Sequence, residues 1–129
     1  MLNYVVLATG GAIGTMLRYY IGTTLYQSLK NPAFPWGTVV INLAGSLIIG
    51  ILAGWNDATP LQPNLRLFLF VGLLGGFTTF SAYSLETINL FRNSMAVYAV
   101  LNILVSNIGG IIFAYSGFAL MKTFHSFAN

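Results

Sequence analysis

Cysteine is absent from this chain of 129 residues, and charged side chains make up only 5% of it. Without cysteine the chain has no disulfide, no thiolate metal ligand and no cysteine nucleophile. A soluble domain carries about 25% charged residues, which keep its surface in water. Because 57% of the residues are hydrophobic, the composition indicates a protein whose surface mostly contacts lipid.

The basic residues are dispersed along the chain, at Arg18, Lys30, Arg66, Arg92 and Lys122. A nucleic-acid-binding surface needs such residues clustered on one face, so the sequence does not support that function. The sequence also offers no pair of a nucleophile and a base. We therefore expect no enzymatic activity.

Four apolar segments are long enough to cross a bilayer, which takes about 20 residues of helix. Proline and asparagine mark the two longer breaks between them, 30-KNPAFP-35 and 56-NDATPLQPN-64, as loops. The pattern predicts an all-α membrane protein in which residues 1–129 form one domain of four transmembrane helices. The predicted spans are 4–29, 36–55, 65–91 and 95–121.

The charges near the span ends favour neither orientation in the membrane. If the N-terminus is inside, Arg66 and Lys122 lie on the inner side, and Lys30 and Arg92 lie on the outer side. Basic residues normally accumulate on the cytoplasmic side. The even count indicates either that Arg18, within the first span, decides the orientation, or that the chain inserts both ways and forms an antiparallel homodimer. A two-fold dimer would also leave room for a pathway between its subunits.

Polar side chains inside the spans are costly, and each is a candidate for function. Arg18 can reach the interface or attract an anion to a vestibule, and Glu86 can pair with it or reach the headgroups. Asn42 can bond to a neighbouring helix or donate to an anion. Asn102 and Ser106 share a face of the last span, where they either join helices or replace water around a small ion.

The segment 75-GGFTTFSAYS-84 interrupts the third span near its middle. Each glycine weakens a helix by about 1 kcal/mol relative to alanine, and the hydroxyls that follow compete for backbone groups. Irregular backbone at this depth survives only where it is buried in protein or lines an aqueous cavity. The freed carbonyls can coordinate a hard cation such as Na⁺, and the hydroxyls of Thr78, Thr79 and Ser81 can complete the lining.

Phe80 and Tyr83 are three residues apart and therefore share a helix face. The two rings either pack against lipid or protein, or present their electropositive edges to a small anion. The residues alone leave both interpretations open.

Three motifs on successive spans resemble the signature of the Fluc (CrcB) family of fluoride channels. They are 11-GAIGTMLRY-19, 36-WGTVVINLAGSLIIG-50 and 75-GGFTTFSAYS-84, the last followed by Glu86. The resemblance implies an antiparallel, dual-topology homodimer in the bacterial inner (plasma) membrane, with two pores through which fluoride leaves the cytoplasm passively. It also implies a structural Na⁺ at the dimer centre, held by the carbonyls of Gly75 and Thr78 from both subunits.

The resemblance further implies which side chains line the fluoride pathway. Asn42 and Ser106 would supply hydrogen-bond donors, and Phe80 would present its ring edge. Arg18 corresponds to the basic residue of the family's first span. Gly110 stands where some relatives have a second hydroxyl.

Tyr83 departs from the family pattern, which usually has phenylalanine at this position. The ring is retained, but a hydroxyl is added. This hydroxyl could donate to fluoride, hold a water molecule or narrow the pore.

Small multidrug-resistance transporters are the closest alternative, because they are also short, four-span, dual-topology dimers. They exchange protons for cations at a glutamate in the first span. The first span here carries Arg18 and no acidic residue, which argues against this class. A non-transporting helical subunit would leave the glycine break and the polar face of the last span unexplained.

Overall fold

Five helices account for the regular structure of the part of the chain that the computed structural model describes, residues 1–30 and 33–128. Asn31 and Pro32, in the first predicted loop, lie outside the described residues. Helix α1 covers Leu2–Ser28 and α2 covers Trp36–Ala58. The third span consists of α3, residues 63–77, and α4, Phe80–Arg92. Helix α5 covers residues 96–128.

Three of the four predicted spans, the second to the fourth, match helices that are long and apolar enough to cross a membrane. By length and hydropathy, Trp36–Ala58, Pro63–Arg92 and Ala96–Phe127 can each cross a bilayer. Helix α1 has 27 residues and is about 40 Å long at 1.5 Å per residue, so its length also suffices. Its glycines, threonines, tyrosines and Arg18 lower its hydropathy. The fold therefore has three long apolar spans and one more polar helix, α1.

Glycines allow α1 and α3 to approach until their backbones touch. A Cβ atom on Gly10 would lie 2.9 Å from the carbonyl oxygen of Phe68, and one on Gly76 would lie 2.6 Å from that of Gly11. Such distances exclude any side chain at these positions. Close backbone contact of this kind is the usual basis of helix association in lipid, where apolar surface gains nothing by burial.

Close backbone contact at glycines also joins α2 to the C-terminal half of α5. Gly50 faces the carbonyl oxygen of Ala114 without room for a Cβ, and a Cβ on Gly54 would lie 2.9 Å from the carbonyl oxygen of Phe118. Gly117 makes the corresponding approach from α5. Gly50 and Gly54, which are four residues apart on α2, therefore serve packing within one chain.

Two stretches of the spans widen to π-helix, Leu67–Leu73 in α3 and Val105–Gly109 in α5. The hydrogen-bond repeat of a π-helix is one residue longer than that of an α-helix, so the residues after it are rotated relative to a regular helix. The sequence contains no proline in either stretch that would reveal the change of repeat. The first stretch packs against α1, and the second lies opposite α2.

A small core cluster of buried apolar side chains lies beside the end of α3. Ile41, Leu74 and Phe77 form this cluster, each less than one-tenth exposed. Many large apolar side chains elsewhere point outward; Val97 and Ile111 are each 73% exposed. Such exposure would be unfavourable in water, at roughly 25 cal/mol per Å² of apolar surface, but it suits a lipid environment. The core fixes the end of α3 where the third span is interrupted.

Candidate ion pathway at the helix break

The predicted interruption of the third span is present, and it consists of Thr78 and Thr79. Both have extended backbones, with φ/ψ of −83°/159° and −149°/120°. Gly75 and Gly76 remain helical, within Leu74–Phe77. The break therefore falls after the glycines that suggested it. Threonine is β-branched and favours extended conformations, and a partner on α2 holds the extended backbone in place.

That partner is the side-chain amide of Asn42. The backbone N–H of Thr79 donates to Asn42 Oδ1 at 2.9 Å, and Asn42 Nδ2 donates to the carbonyl oxygen of Thr79 at 2.9 Å. The amide pairs with Thr79 as a residue on an adjacent β-strand would. One Nδ2 hydrogen of Asn42 remains after this pairing. Asn42 thus makes the helix contact that the sequence left open and retains a donor.

The hydroxyls at the break stabilise the two helix ends. Thr79 Oγ1 accepts from the backbone N–H of Ala82 at 3.2 Å and so caps α4. Ser81 Oγ lies 3.4 Å from Thr79 Oγ1. Thr78 Oγ1 donates to the carbonyl oxygen of Leu74 at 2.9 Å, an oxygen that also accepts the Thr78 N–H. The hydroxyls of Thr78 and Thr79 therefore act first on the backbone of their own span.

Carbonyl oxygens are freed where α3 ends. In a continuous helix the carbonyl of Gly75 would accept from the N–H of Thr79, but this N–H is bonded to Asn42. Gly75 is exposed, and no atom lies within 4 Å of the position of a Cβ there. Among the described residues no group of three or more His, Cys, Asp or Glu could hold a metal ion. Neutral oxygens are thus the ligands that the break can offer, and they suit a hard cation.

A cavity of about 430 Å³ adjoins the break, and we call it the break cavity. It brings together most of the predicted site residues: Asn42, Gly75, Thr78, Thr79, Phe80, Tyr83 and Ser106. Ser81 and Arg18 are not among its lining residues. Two further lining residues, Ser46 and Asn107, are polar side chains that the predicted site did not include.

A second cavity, of about 610 Å³, lies on the other side of Thr79, and we call it the Arg18 cavity. Arg18 and Glu86 line it together with Thr38, and Thr79 lines both cavities. Glu86 accepts a hydrogen bond from Thr38 Oγ1 at 2.7 Å, and its other carboxylate oxygen is buried without a partner among the described residues. Glu86 is therefore held by Thr38 of α2 rather than by an ion pair with Arg18.

The two aromatic side chains of α4 sit close together at the break cavity. The ring centroids of Phe80 and Tyr83 are 5.4 Å apart, and the ring planes are inclined by 46°. Phe80 is 75% exposed, whereas Tyr83 is half-buried. The rings share a face, as their spacing predicts, and both line the cavity.

A chain of hydrogen bonds joins α5 to α4 and ends at the backbone carbonyl of Tyr83. Ser106 Oγ donates to Asn102 Oδ1 at 3.3 Å, and Asn102 Nδ2 donates to Thr87 Oγ1 at 2.9 Å. Thr87 Oγ1 in turn donates to the carbonyl oxygen of Tyr83 at 2.8 Å. Asn102 is fully buried, so it joins two helices and does not face an ion.

The polar contacts of Asn107 and Thr38 are the hardest to predict from the sequence. Asn107 Nδ2 donates to Tyr83 Oη at 2.9 Å, although Asn107 follows Ser106 directly and so falls outside the face that Asn102 and Ser106 share. Thr38 precedes Asn42 by four residues on α2. That spacing places the two on one face, and it is the signal by which Thr38 could have been found.

The amide of Asn42 should be essential to the stability of the break. We expect Asn42→Leu to lower the free energy of unfolding by about 2–4 kcal/mol, because two backbone groups of Thr79 lose their partners at about 1–3 kcal/mol each. Denaturant titration in detergent measures the change. Thr78→Val is the matched control, since the carbonyl of Leu74 keeps the Thr78 N–H; equal loss in both variants would contradict the pairing.

Comparison with known proteins places the chain in a family. The family described as "CrcB-like protein, Camphor Resistance (CrcB)" matches residues 5–118. A protein of Ruminiclostridium cellulolyticum named fluoride-specific ion channel FluC is 45% identical over 123 residues, which are 95% of this chain and 91% of that protein. A protein of the same name from Agrobacterium fabrum is 42% identical, over 93% of this chain and 96% of its own. The resemblance seen in the motifs is thereby confirmed, and the chain belongs to the CrcB family.

Proposed function

We propose that this protein is a fluoride-selective ion channel that lets cytoplasmic fluoride leave the cell passively. The observation that carries the proposal is the pair of cavities that meet at Thr79, one beside Arg18 and one lined by hydrogen-bond donors. Membership of the CrcB family and relatives named as fluoride-specific channels support it. A protein with this function is not an enzyme.

The chemistry of the two cavities suits a small, strongly hydrated anion. Arg18 brings a positive charge to the Arg18 cavity, which attracts anions, and Thr38 holds the Glu86 carboxylate that lines the same cavity. In the break cavity, the remaining hydrogen of Asn42 Nδ2 can replace water around fluoride. The Ser106 hydroxyl can add a second donor only by leaving its bond to Asn102 Oδ1. The ring edge of Phe80 adds a weak electropositive contact. Contacts that are each modest allow the ion to enter and also to leave.

The complete pathway, in this proposal, forms between two chains arranged antiparallel in the bacterial inner (plasma) membrane. The break cavity is open at the surface of the single chain, and Phe80 at its edge is largely exposed. A second chain would close it, and two-fold symmetry would then create two equivalent pores. The balance of basic residues between the two membrane sides supports insertion in both orientations.

A structural Na⁺ at the dimer centre is the second part of the proposal. The carbonyl of Gly75 has lost its helical partner, and Thr78 has an extended backbone because Asn42 engages the following residue. The exposed position of Gly75 would let the same carbonyls of two chains converge. The positive charge of the ion would hold the two broken spans together, since carbonyl oxygens at helix C-termini are negatively polarised.

Fluoride flux from liposomes is the direct test of the function. We expect vesicles that contain the purified protein, loaded with potassium salts and given valinomycin so that K⁺ leaves with the anion, to release fluoride rapidly and to retain chloride, because only fluoride is small enough to be held by these donors. Ion-selective electrodes measure both ions, and empty vesicles give the background. Equal release of the two ions, or release that requires a proton gradient, would contradict a selective passive channel.

The absence of cysteine allows the topology to be tested with single introduced thiols. Ser28 at the end of α1 and Ser126 near the end of α5 are both exposed, and they lie on opposite membrane sides in any one orientation. With dual topology, we expect an impermeant maleimide added to intact cells to label about half of the chains in either Ser28→Cys or Ser126→Cys. Complete labelling of one variant and none of the other would show a single orientation.

Bound sodium can be counted in the purified protein. The proposal expects one Na⁺ for every two chains after dialysis against buffer with lithium or an organic cation in place of excess sodium. Elemental analysis of the protein provides the count, with the dialysate as the blank. Protein that is folded and dimeric but holds no sodium in sodium-containing buffer would rule out the site.

A further inference from the structure

Asn107 contacts Tyr83, the aromatic residue at which the sequence departs from the motif it resembles. Its Nδ2 donates to Tyr83 Oη at 2.9 Å and to the carbonyl oxygen of Ile103 at 2.8 Å. The amide nitrogen has two hydrogens, and these two acceptors use both. The reverse orientation of the amide would place Oδ1 2.8 Å from the Ile103 carbonyl oxygen, an unfavourable contact of two acceptors. The bond to Ile103 therefore fixes which atom faces Tyr83.

This arrangement makes Tyr83 Oη an acceptor toward Asn107 and leaves its own hydrogen available. No acceptor for that hydrogen lies within hydrogen-bond distance among the described residues. Tyr83 lines the break cavity, and a hydroxyl that accepts one hydrogen bond becomes a slightly stronger donor of another. By contrast, the Ser106 hydroxyl already donates to Asn102.

Asn107 also lies in the π-helical turn Val105–Gly109 of α5. Turns of this kind recur at functional sites. Because Ser106 and Asn107 are adjacent, a regular helix would separate their side chains by about 100°. Both nevertheless line the break cavity, and each contacts a different part of the wall.

We propose that Asn107 is a positioning residue that holds the Tyr83 hydroxyl as a hydrogen-bond donor to fluoride in the break cavity. The inference rests on the proposed function and specifies one donor of that pathway. Where the family usually presents a ring edge, this chain presents an O–H group fixed from α5. The hydroxyl then binds fluoride in the pathway rather than merely narrowing it.

A double-mutant cycle on fluoride saturation tests the proposal. We expect Tyr83→Phe to raise the fluoride concentration that gives half-maximal flux by about tenfold, since a hydrogen bond to an anion is lost. Asn107→Leu, and Asn107→Ala if the leucine variant does not fold, should raise it by a similar factor. In the Tyr83→Phe background the Asn107 substitution should add less than about twofold.

Thr123→Val is the matched control on the same helix, because it removes a side-chain bond to the backbone four residues earlier but lies away from Tyr83. Each variant is first shown to be folded by gel filtration. An unchanged half-saturation in Tyr83→Phe would overturn the role of the hydroxyl. Equal effects of the Asn107 substitution in both backgrounds would overturn its action through Tyr83. Absence of fluoride flux in the unaltered protein would instead reject the proposed function, and the inference with it.

Discussion

The pairing of the Asn42 amide with the backbone of Thr79 is the interaction on which the rest of the site depends. A break in a membrane helix leaves polar backbone groups without water to satisfy them, at several kcal/mol for each group. Asn42 satisfies the N–H and the carbonyl of Thr79 together. The extended backbone can then persist inside the span, and the carbonyl of Gly75 is released from helical bonding. The break cavity, the cap of α4 and the released carbonyl of Gly75 all follow from this one contact.

The remaining contacts show how little the structure relies on apolar burial. Glycine contacts such as those of Gly10 and Gly50 bring helix backbones together, and the Asn102 chain of hydrogen bonds ties α4 to α5. In lipid these are the forces available for helix association. The same contacts fix the walls of the break cavity, because they involve the helices that carry Tyr83 and Ser106. The packing of the helices and the walls of the break cavity therefore depend on the same small set of polar and glycine positions.

Features that depend on one helix at a time could be predicted from the sequence, whereas contacts between helices could not. Hydropathy identified the spans, and glycines followed by threonines identified the break, which falls at the threonines. The bonds of Glu86 to Thr38 and of Tyr83 to Asn107 were not predictable, because each joins two helices; the face shared with Asn42 marks Thr38 as a site residue but not as the partner of Glu86. The two π-helical stretches make such contacts harder to predict, because they change the direction in which the following side chains point and no sequence pattern marks them. Dimer geometry and the sodium ion lie beyond what a single chain displays, and they remain proposals.

Asn42 bonds to the main chain of Thr79 and not to its side chain, so substitution is restricted differently at the two positions. Position 42 is restricted to a residue with both an amide donor and an acceptor at the right reach. The side chain at position 79 is restricted only by its role as a helix cap, a role that serine, aspartate or asparagine also fill. Because Thr79 lines both cavities, a different capping side chain at this position would change the size or charge of their common wall while the backbone there keeps its conformation.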